Sequence, residues 1–564
     1  MEEDERLEVA TMQGMDTPSP HDKGSTYPRR AGLRAWSPAV LLILFFACLL
    51  EVLYLVIVAL APLPLLHLSN TPLAAAWPLT LALSQIFFPG AWAVAANPPI
   101  ATTWLYQALL TLILAAIVAI YTLAIWSMYH WRNTLHRAAF PWLLLLLGVT
   151  AVFCLTLLFQ PALFSDDVFT YMFSGRLLAF YHADPLSNAP IQFPLDPYIR
   201  WVVSGRFTTN FYGPLWLYIS AGLVSMSNVP IVTLLLFKGL AIVAHLVNCI
   251  LVWAILTSLA PGHRLLGTLL YAWNPLTIIE LAGSGHSEGL LLSILLLAML
   301  LYVQRKGLWR EIAVLILLGV AISLNLVVLL IAPLFTWFMV RSERNTSRAF
   351  RGFCWRTIVG QGLVIPLFLP LWRGPTTFFS ITSAIDLTNF SHSIVGLLEV
   401  PMEWLFGFVA QLSHFPPVMQ PTTAADGALR ASTIFIFALI YFRLFGKVRA
   451  APTNPAADRE MLLPGFDVLL DCWSIAVFWY LILVLGWFWP WYALWVFWIA
   501  VLRPLDTHTM ALLLFSATAL LLYPLQGITG SVSALYQPVF VFGVPLVYMY
   551  LSRKKRKAHI EHVR

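Results

Sequence analysis

Two adjacent carboxylates, Asp166 and Asp167, stand directly after an apolar run that ends at Phe164. They open Phe164–Pro190, FSDDVFTYMFSGRLLAFYHADPLSNAP, the longest polar-rich piece between two strongly apolar segments. A carboxylate pair at the mouth of a transmembrane bundle needs a reason. The other residues that could do chemistry are Asn274, His286 and Glu288 in WNPLTIIELAGSGHSEG (273–289), Arg373, His392, and the aromatic turn WFWPWY (487–492). One buried-edge carboxylate, nearby cations and aromatic walls suit transfer of a sugar from a lipid phosphate. The carboxylate would take the proton of an acceptor hydroxyl as it attacks the anomeric carbon. Arg or His would stabilise the phosphate that leaves. Aromatic rings would stack on sugar faces, and a lipid tail would lie in a groove between helices. Each feature also has a plainer reading. Paired Asp residues at a helix start are ordinary partners of the helix dipole, and WFWPWY also fits an interfacial aromatic belt. His286 and Glu288 are too few to make a metal site on their own. No metal ligand set is assigned and no cofactor is identified; a divalent metal stays open.

The elements that must position these groups are set by composition. The chain has 564 residues, of which 60% are hydrophobic and 10% charged. Soluble domains carry about 25% charged residues. With a mean hydropathy of +0.80 and repeated apolar runs of about 20 residues, the chain reads as an all-α, polytopic helical membrane protein. A spanning barrel would instead alternate over ten-residue segments. The net charge of +7 does not indicate nucleic acid, because the basic residues cluster in short loops and in the tail SRKKRKAH, where they set topology. The five cysteines, at 48, 154, 249, 354 and 472, show neither metal spacing nor a disulfide framework.

The positive-inside rule orders the spans. HWRNTLHR (130–137), PGHR (261–264), QRKGLWR (304–310), RSERNTSRAFR (341–351) and the C-terminal tail all fall on the cytoplasmic side if Gly213–Ser227 does not span. Asp166 and Asp167, His286 and Glu288, Arg373 and His392, and WFWPWY then share the outer face. This arrangement needs about twelve spans of ~20 residues, with both termini inside. Ile312–Val340 is basic at both ends and has Ser323 and Asn325 at its centre, so it reads as two short helices in a re-entrant hairpin. Ser165 is a good N-cap, which predicts a surface helix over Asp166–Tyr181 with Asp167, Tyr171, Ser174 and Gly175 on one face. Residues 1–35 read as a disordered cytoplasmic tail, 36–551 as the membrane domain, and 552–564 as a basic cytoplasmic tail.

The motif SDDVFTYMFSGRLLAFYHADPLSNAP resembles the first-loop motif of polytopic glycosyltransferases of the GT-C superfamily. It is most similar to the bacterial polyprenol-phosphate-mannose-dependent α-mannosyltransferases and to family 87 enzymes. YGPLW (212–216), WNPLTIIELAGSGHSEG and WPWYALW (489–495) match in order, so the resemblance covers most of 161–495. It implies a GT-C-like bundle in a bacterial plasma membrane. It also implies inverting transfer of a hexose, often mannose, from a polyprenyl-phosphate donor to a glycan or lipid acceptor on the extracytoplasmic face. On this resemblance Asp167 is the base and Asp166 an accessory. Tyr171, Arg176, Tyr212, Asn274, His286, Glu288, Arg373, His392, Trp491 and Tyr492 are the expected substrate-binding residues. Related sequences often carry a Lys where Asn325 stands, which leaves Arg373 or Lys238 to replace that cation. The competing expectation is a transporter or flippase, since broken helices and intramembrane polar groups also mark transport paths. No inverted repeat is evident.

Overall fold

A computed structural model describes residues 38–63, 78–90, 100–135, 139–158, 160–209, 212–304, 307–375, 377, 390, 392–413, 420–453, 463–526 and 533–563. The expected N-terminal tail, 1–35, lies outside these residues. Among the described residues all regular structure is helical. Eight helices are long and apolar enough to cross a membrane, and a ninth span is added if the bent pair Arg264–Ala272 and Pro275–Gly283 counts as one. The number is below the expected twelve because several apolar runs are cut into short helices, such as Pro214–Ser225, Glu288–Gln304 and Pro490–Val501. Large apolar side chains on the spans, such as Phe45, Leu112, Leu144 and Phe442, point outward. A helix that exposes Leu and Phe is solvated by lipid rather than water. The chain is an all-α, polytopic membrane protein.

The elements around the candidate residues are numbered here in chain order. α1 is Pro38–Leu60, α2 Ile100–Leu135 and α3 Ala139–Leu158; α4 is Asp167–Ala179, α5 Pro214–Ser225 and α6 Pro230–Leu259. α7 is Arg264–Ala272, and α8 is Pro275–Gly283, whose last five residues form a π-turn. α9 is Glu288–Gln304, α10 Leu308–Leu324, α11 Ala332–Met339 and α12 Thr346–Gly362; α13 is Pro421–Arg449, α14 Phe466–Leu483, α15 Leu494–Val501, α16 Thr507–Ala519, α17 Leu522–Gln526 and α18 Ser533–Val563. The basic tail from residue 552 continues α18.

The expected surface helix is present but is not at the surface. Every residue of α4 from Val168 to Leu177 is buried, and the helix packs closely on α5 and also on α6. Gly175 makes this approach possible: a Cβ there would lie 2.5 Å from the Ser220 carbonyl oxygen of α5. The Gly of YGPLW does the same for the next contact. A Cβ at Gly213 would lie 2.3 Å from the Ser323 carbonyl oxygen, so only glycine lets the start of α5 meet the end of α10.

The run 312–340 is broken where the sequence places Asn325. α10 ends at Leu324, Asn325 is extended (φ −152°), and a 3-10 turn, Leu326–Leu330, leads into α11. Asn325 Oδ1 accepts the Val327 N–H. Irregular backbone in an apolar setting must be satisfied by neighbouring protein. Tyr441 donates to the Leu330 carbonyl at 3.0 Å and Trp473 to the Ile331 carbonyl at 3.1 Å. The second break, Trp273–Pro275, bends the chain by 46°. Here Asn274 Oδ1 accepts the Thr277 N–H and its amide donates to Ser516. Glu51, the one acidic residue within α1, accepts a hydrogen bond from Thr156 of α3.

Candidate functional site

Asp167 begins α4, where the Ser165 hydroxyl accepts its backbone N–H at 3.3 Å. Asp166 is the N-cap residue by position, yet its side chain makes no cap bond. Instead its carboxylate accepts the Ser204 N–H at 2.9 Å and ties the following loop to the start of the helix. Asp167 is left facing the site with its side chain 24% exposed. Burial pushes its carboxyl up to about 7; the His286 charge pulls down, and Asp166, Glu288 and Glu280 push further up.

His286 sits at the centre of the arrangement, fully buried in the turn between α8 and α9. Its Nδ1 lies 3.3 Å from the Tyr171 hydroxyl, 3.9 Å from Glu288 Oε2 and 4.0 Å from Asp167 Oδ2. Its Nε2 lies 3.3 Å from Glu280 Oε2. Burial works against a charged ring, but Glu280, Glu288 and Asp167 outweigh it and raise the imidazole above its ordinary value. Trp491 stacks on the ring at 4.3 Å and 25°. Three surrounding carboxylates therefore meet one imidazole under an indole roof. α4 supplies Asp167, the π-turn of α8 supplies Glu280, the first residue of α9 is Glu288, and the turn before α15 supplies Trp491.

The aromatic residues expected at the site form its walls. Tyr171 meets Tyr212 edge-on at 4.9 Å and Trp216 of α5 at 5.2 Å. Tyr492 stacks on Trp495 at 4.4 Å. Burial, then the Asp167 charge, raise the phenols of Tyr171, Tyr212 and Tyr492, which therefore serve as neutral hydrogen-bonding groups. His392 joins through a stack of rings: it lies 5.3 Å from Trp489, and Trp489 stacks on Trp491 at 5.1 Å and 9°. Its Nδ1 pairs with Gln537 Oε1. Burial lowers its imidazole below the ordinary value against the opposing Gln537 bond.

Three expected residues have other work. Arg176 gives its guanidinium to Asp196, with Nε 2.9 Å from Oδ2 and a second nitrogen at 2.8 Å, while its plane covers Tyr198 at 4.1 Å. That geometry clamps α4 to the loop behind it and leaves no fork for a phosphate. Asn274 serves the break before α8, bonded to Thr277 and Ser516 rather than to the His286 group. Arg373 is exposed beyond the 3-10 turn Leu369–Leu371, and Thr377 accepts its backbone N–H. Lys238, the other candidate cation, is fully buried on α6 and donates to the carbonyls of Leu157 and Gln160 at the end of α3. Its stem lies directly against Gly285.

Glu280 and Tyr523 are the functional-looking residues that sequence reasoning missed. Tyr523 of α17 donates to Glu280 Oε1 at 2.5 Å. The available signal was one acidic residue inside the apolar run WNPLTIIELAG, six positions before His286. Among the described residues, the group with metal-site geometry is Glu399, Glu403 and Asp426, which does not include the His286 carboxylates. A small apolar void of about 10 Å³, lined by Leu292, Leu295, Val327, Ile331 and Trp495, begins about one turn below Glu288 on α9.

None of the curated proteins compared with the chain matches it. Residues 74–341, just under half of the chain, match the family model described as alpha-(1->6)-mannopyranosyltransferase, N-terminal domain, of the MptA_B family. That match spans Asp167, Glu280, His286 and Glu288, so the candidate site lies within the part of the chain that is similar to a mannosyltransferase family.

Proposed function

We propose that the chain moves a hexose, mannose on the family description, from a polyprenyl-phosphate donor to a glycan or lipid acceptor on the extracytoplasmic face of a membrane. The observation that carries the reading is a half-buried carboxylate, Asp167, with its carboxyl pushed up to about 7, held 4.0 Å from a fully buried imidazole. A base with that value ionises near neutral pH and holds a proton strongly enough to remove one from a hydroxyl in the transition state.

In the proposed step the acceptor oxygen attacks the anomeric carbon from the side opposite the phosphate. The new C–O bond forms as the C–O bond to phosphate breaks, and the phosphate leaves with the bonding pair. Asp167 takes the acceptor proton, so attack from the opposite face gives inversion. Arg176 is committed to Asp196, and His286, 4.0 Å from Asp167, is a counter-charge for the base once it is ionised. Trp491, Tyr212 and Tyr492 wall the sugar site. Basic residues gathered at the opposite end of the bundle, where Arg341 reaches the Pro464 carbonyl and Arg503 meets Asp471, support an outward-facing site with both termini inside.

The test uses the purified full chain in nanodiscs with radiolabelled mannosyl-phosphate polyprenol and a short α-linked mannooligosaccharide. Asp167→Asn is expected to lower transfer by roughly 10²–10⁴-fold with an unchanged fold. Wild-type transfer in that variant overturns Asp167 as the base. The breaks at Trp273–Pro275 and Asn325–Ile331 are also features that transport paths use. Lipid or sugar translocation without a new glycosidic bond would favour that second reading.

A further inference from the structure

We propose that Glu280 is the positioning residue of this site: from beneath the imidazole its carboxylate faces Nε2 of His286, orients the ring by charge and holds it cationic against the base. The proposal deepens the glycosyl-transfer reading and takes its functional meaning from it. The geometry stands apart from that reading.

Glu280 is fully buried on the π-turn of α8, a helix irregularity that is frequent at functional sites. It holds His286 twice. Its backbone carbonyl accepts the His286 N–H at 3.1 Å, and its Oε2 lies 3.3 Å from His286 Nε2. The other oxygen, Oε1, takes the Tyr523 hydroxyl at 2.5 Å, which fixes the carboxylate from the far side. Trp491 covers a face of the ring. A ring flip would set carbon, Cε1, against the Glu280 carboxylate in place of a nitrogen. Glu280 therefore favours the ring orientation that sets a protonated Nε2 against its carboxylate. Nδ1 is then the atom offered to Tyr171, Glu288 and Asp167. A base, an imidazole and a buried carboxylate that orients it is the arrangement by which a third group usually sets the second.

The charges facing this pair come from every element around it. α4 contributes Asp166, Asp167 and Tyr171; α9 contributes Glu288; Tyr212, Tyr492 and Tyr523 surround them as neutral phenols. Lys238 of α6 packs against Gly285, but its ammonium is held by the Leu157 and Gln160 carbonyls. On His286, burial is the largest influence and opposes the charge. The Glu280 carboxylate is the largest influence in its favour, ahead of Glu288 and Asp167. On Asp167, His286 is the leading influence that favours ionisation, whereas direct repulsion from Glu280 is the smallest named. Loss of the Glu280 charge thus acts on Asp167 mainly through His286. The ring loses its proton, Asp167 loses its counter-ion, and the carboxyl ionises at higher pH.

The experiment titrates Asp167 in the full chain in nanodiscs by infrared difference spectroscopy, with Asp167→Asn identifying its band. Glu280→Gln is expected to raise the Asp167 midpoint by about one pH unit. His286→Gln is expected to move it the same way, and the double variant to move it no further than His286→Gln alone. The acid limb of kcat/KM for mannosyl-phosphate polyprenol should move with the midpoint, which a purely structural role would not produce. An unmoved midpoint in a Glu280→Gln protein with wild-type melting overturns the proposal. If that variant fails to fold, Tyr523→Phe takes its place, with a smaller shift of the same sign expected, and an unmoved midpoint there overturns the proposal equally. A shifted midpoint without sugar transfer by any protein, wild type included, upholds the role of Glu280 and overturns the glycosyl-transfer reading instead.

Discussion

At Asp167 two influences compete. Burial pushes the carboxyl up, the His286 charge 4.0 Å away pulls it down, and burial wins, which leaves it at about 7. If Asp167 is the base, kcat/KM is expected to rise about tenfold per pH unit in the acid range and to level off above about pH 7. A profile already flat from pH 5 would remove Asp167 from the role. The same value carries a stability consequence whose sign is fixed by linkage. The folded carboxyl binds its proton to higher pH than the unfolded one, near 3.9. Asp167 therefore imposes no penalty below about pH 4, and stability falls as pH rises from there through about 7. Asp167→Asn should melt with wild type at pH 4 and above it at pH 8, as thermal unfolding in detergent at both pH values will show. Asp167, Tyr171, Tyr212, His286, Glu288, Trp491 and Tyr492, which the structure brings together, could be marked as candidates because each stands in a polar or aromatic break between apolar runs. Arg176 and Asn274 were legible only as polar residues in motifs. Their structural partners, Asp196 and Ser516, lie 20 and 242 positions away, a distance over which no local pattern pairs them. Glu280 was hidden for the opposite reason: it sits inside an apolar run, and its partner Tyr523 is 243 positions distant.

Among the elements, the first-loop helix and the break at Asn325 were readable from Ser165-Asp-Asp and from the polar centre of an overlong apolar run. The burial of α4 was not. It depends on Gly175 and on α5 rising to meet it, and amphipathic spacing does not distinguish a lipid-edge helix from one covered by another helix. The π-turn of α8 was also unreadable, since an i→i+5 bond has no residue signature. The joint between α5 and α10 yields a direct prediction. In Gly213→Ala the new methyl meets the Ser323 and Leu324 carbonyls at 2.3 and 2.4 Å, and backbone cannot yield as a side chain can. The expected loss is about 1–3 kcal/mol or more, seen as a lower melting temperature together with weaker transfer, because Tyr212 moves with the joint. Trp473→Phe tests the broken segment 326–331. It keeps an aromatic side chain but removes the Nε1–H donor to the Ile331 carbonyl, which still accepts the Phe335 N–H at 3.0 Å, and losing one such hydrogen bond costs about 0.5–1.5 kcal/mol. Unchanged melting in Trp473→Phe would mean that another donor satisfies the break.

Among the described residues, the carboxylate–imidazole group and a cluster of basic residues lie at opposite ends of the helices that connect them. Asp167, Glu280, His286 and Glu288 meet where α3, α8 and α14 finish and where α4 and α9 begin. Arg341, Lys447, Arg449 and Arg503 gather at the start of α14 and the end of α13. There Arg449 bonds the Val340 carbonyl at 2.9 Å and Arg503 meets Asp471 at 2.7 Å. Lys and Arg resist translocation, so the basic end is expected inside and the carboxylate end outside. The apolar runs and basic loops carried that orientation in the sequence, because topology depends on local hydropathy and charge and not on tertiary pairing. Two reporter sites decide it. Leu195 is 96% exposed in the loop beside Asp196 at the site end, and Arg344 is exposed at the basic end. With the five native cysteines removed, a cysteine at Leu195 should react with a membrane-impermeant maleimide on intact cells. A cysteine at Arg344 should react only after permeabilisation. The reverse pattern would place the site inside, and a polyprenyl-phosphate donor presented on the outer face could not then reach Asp167.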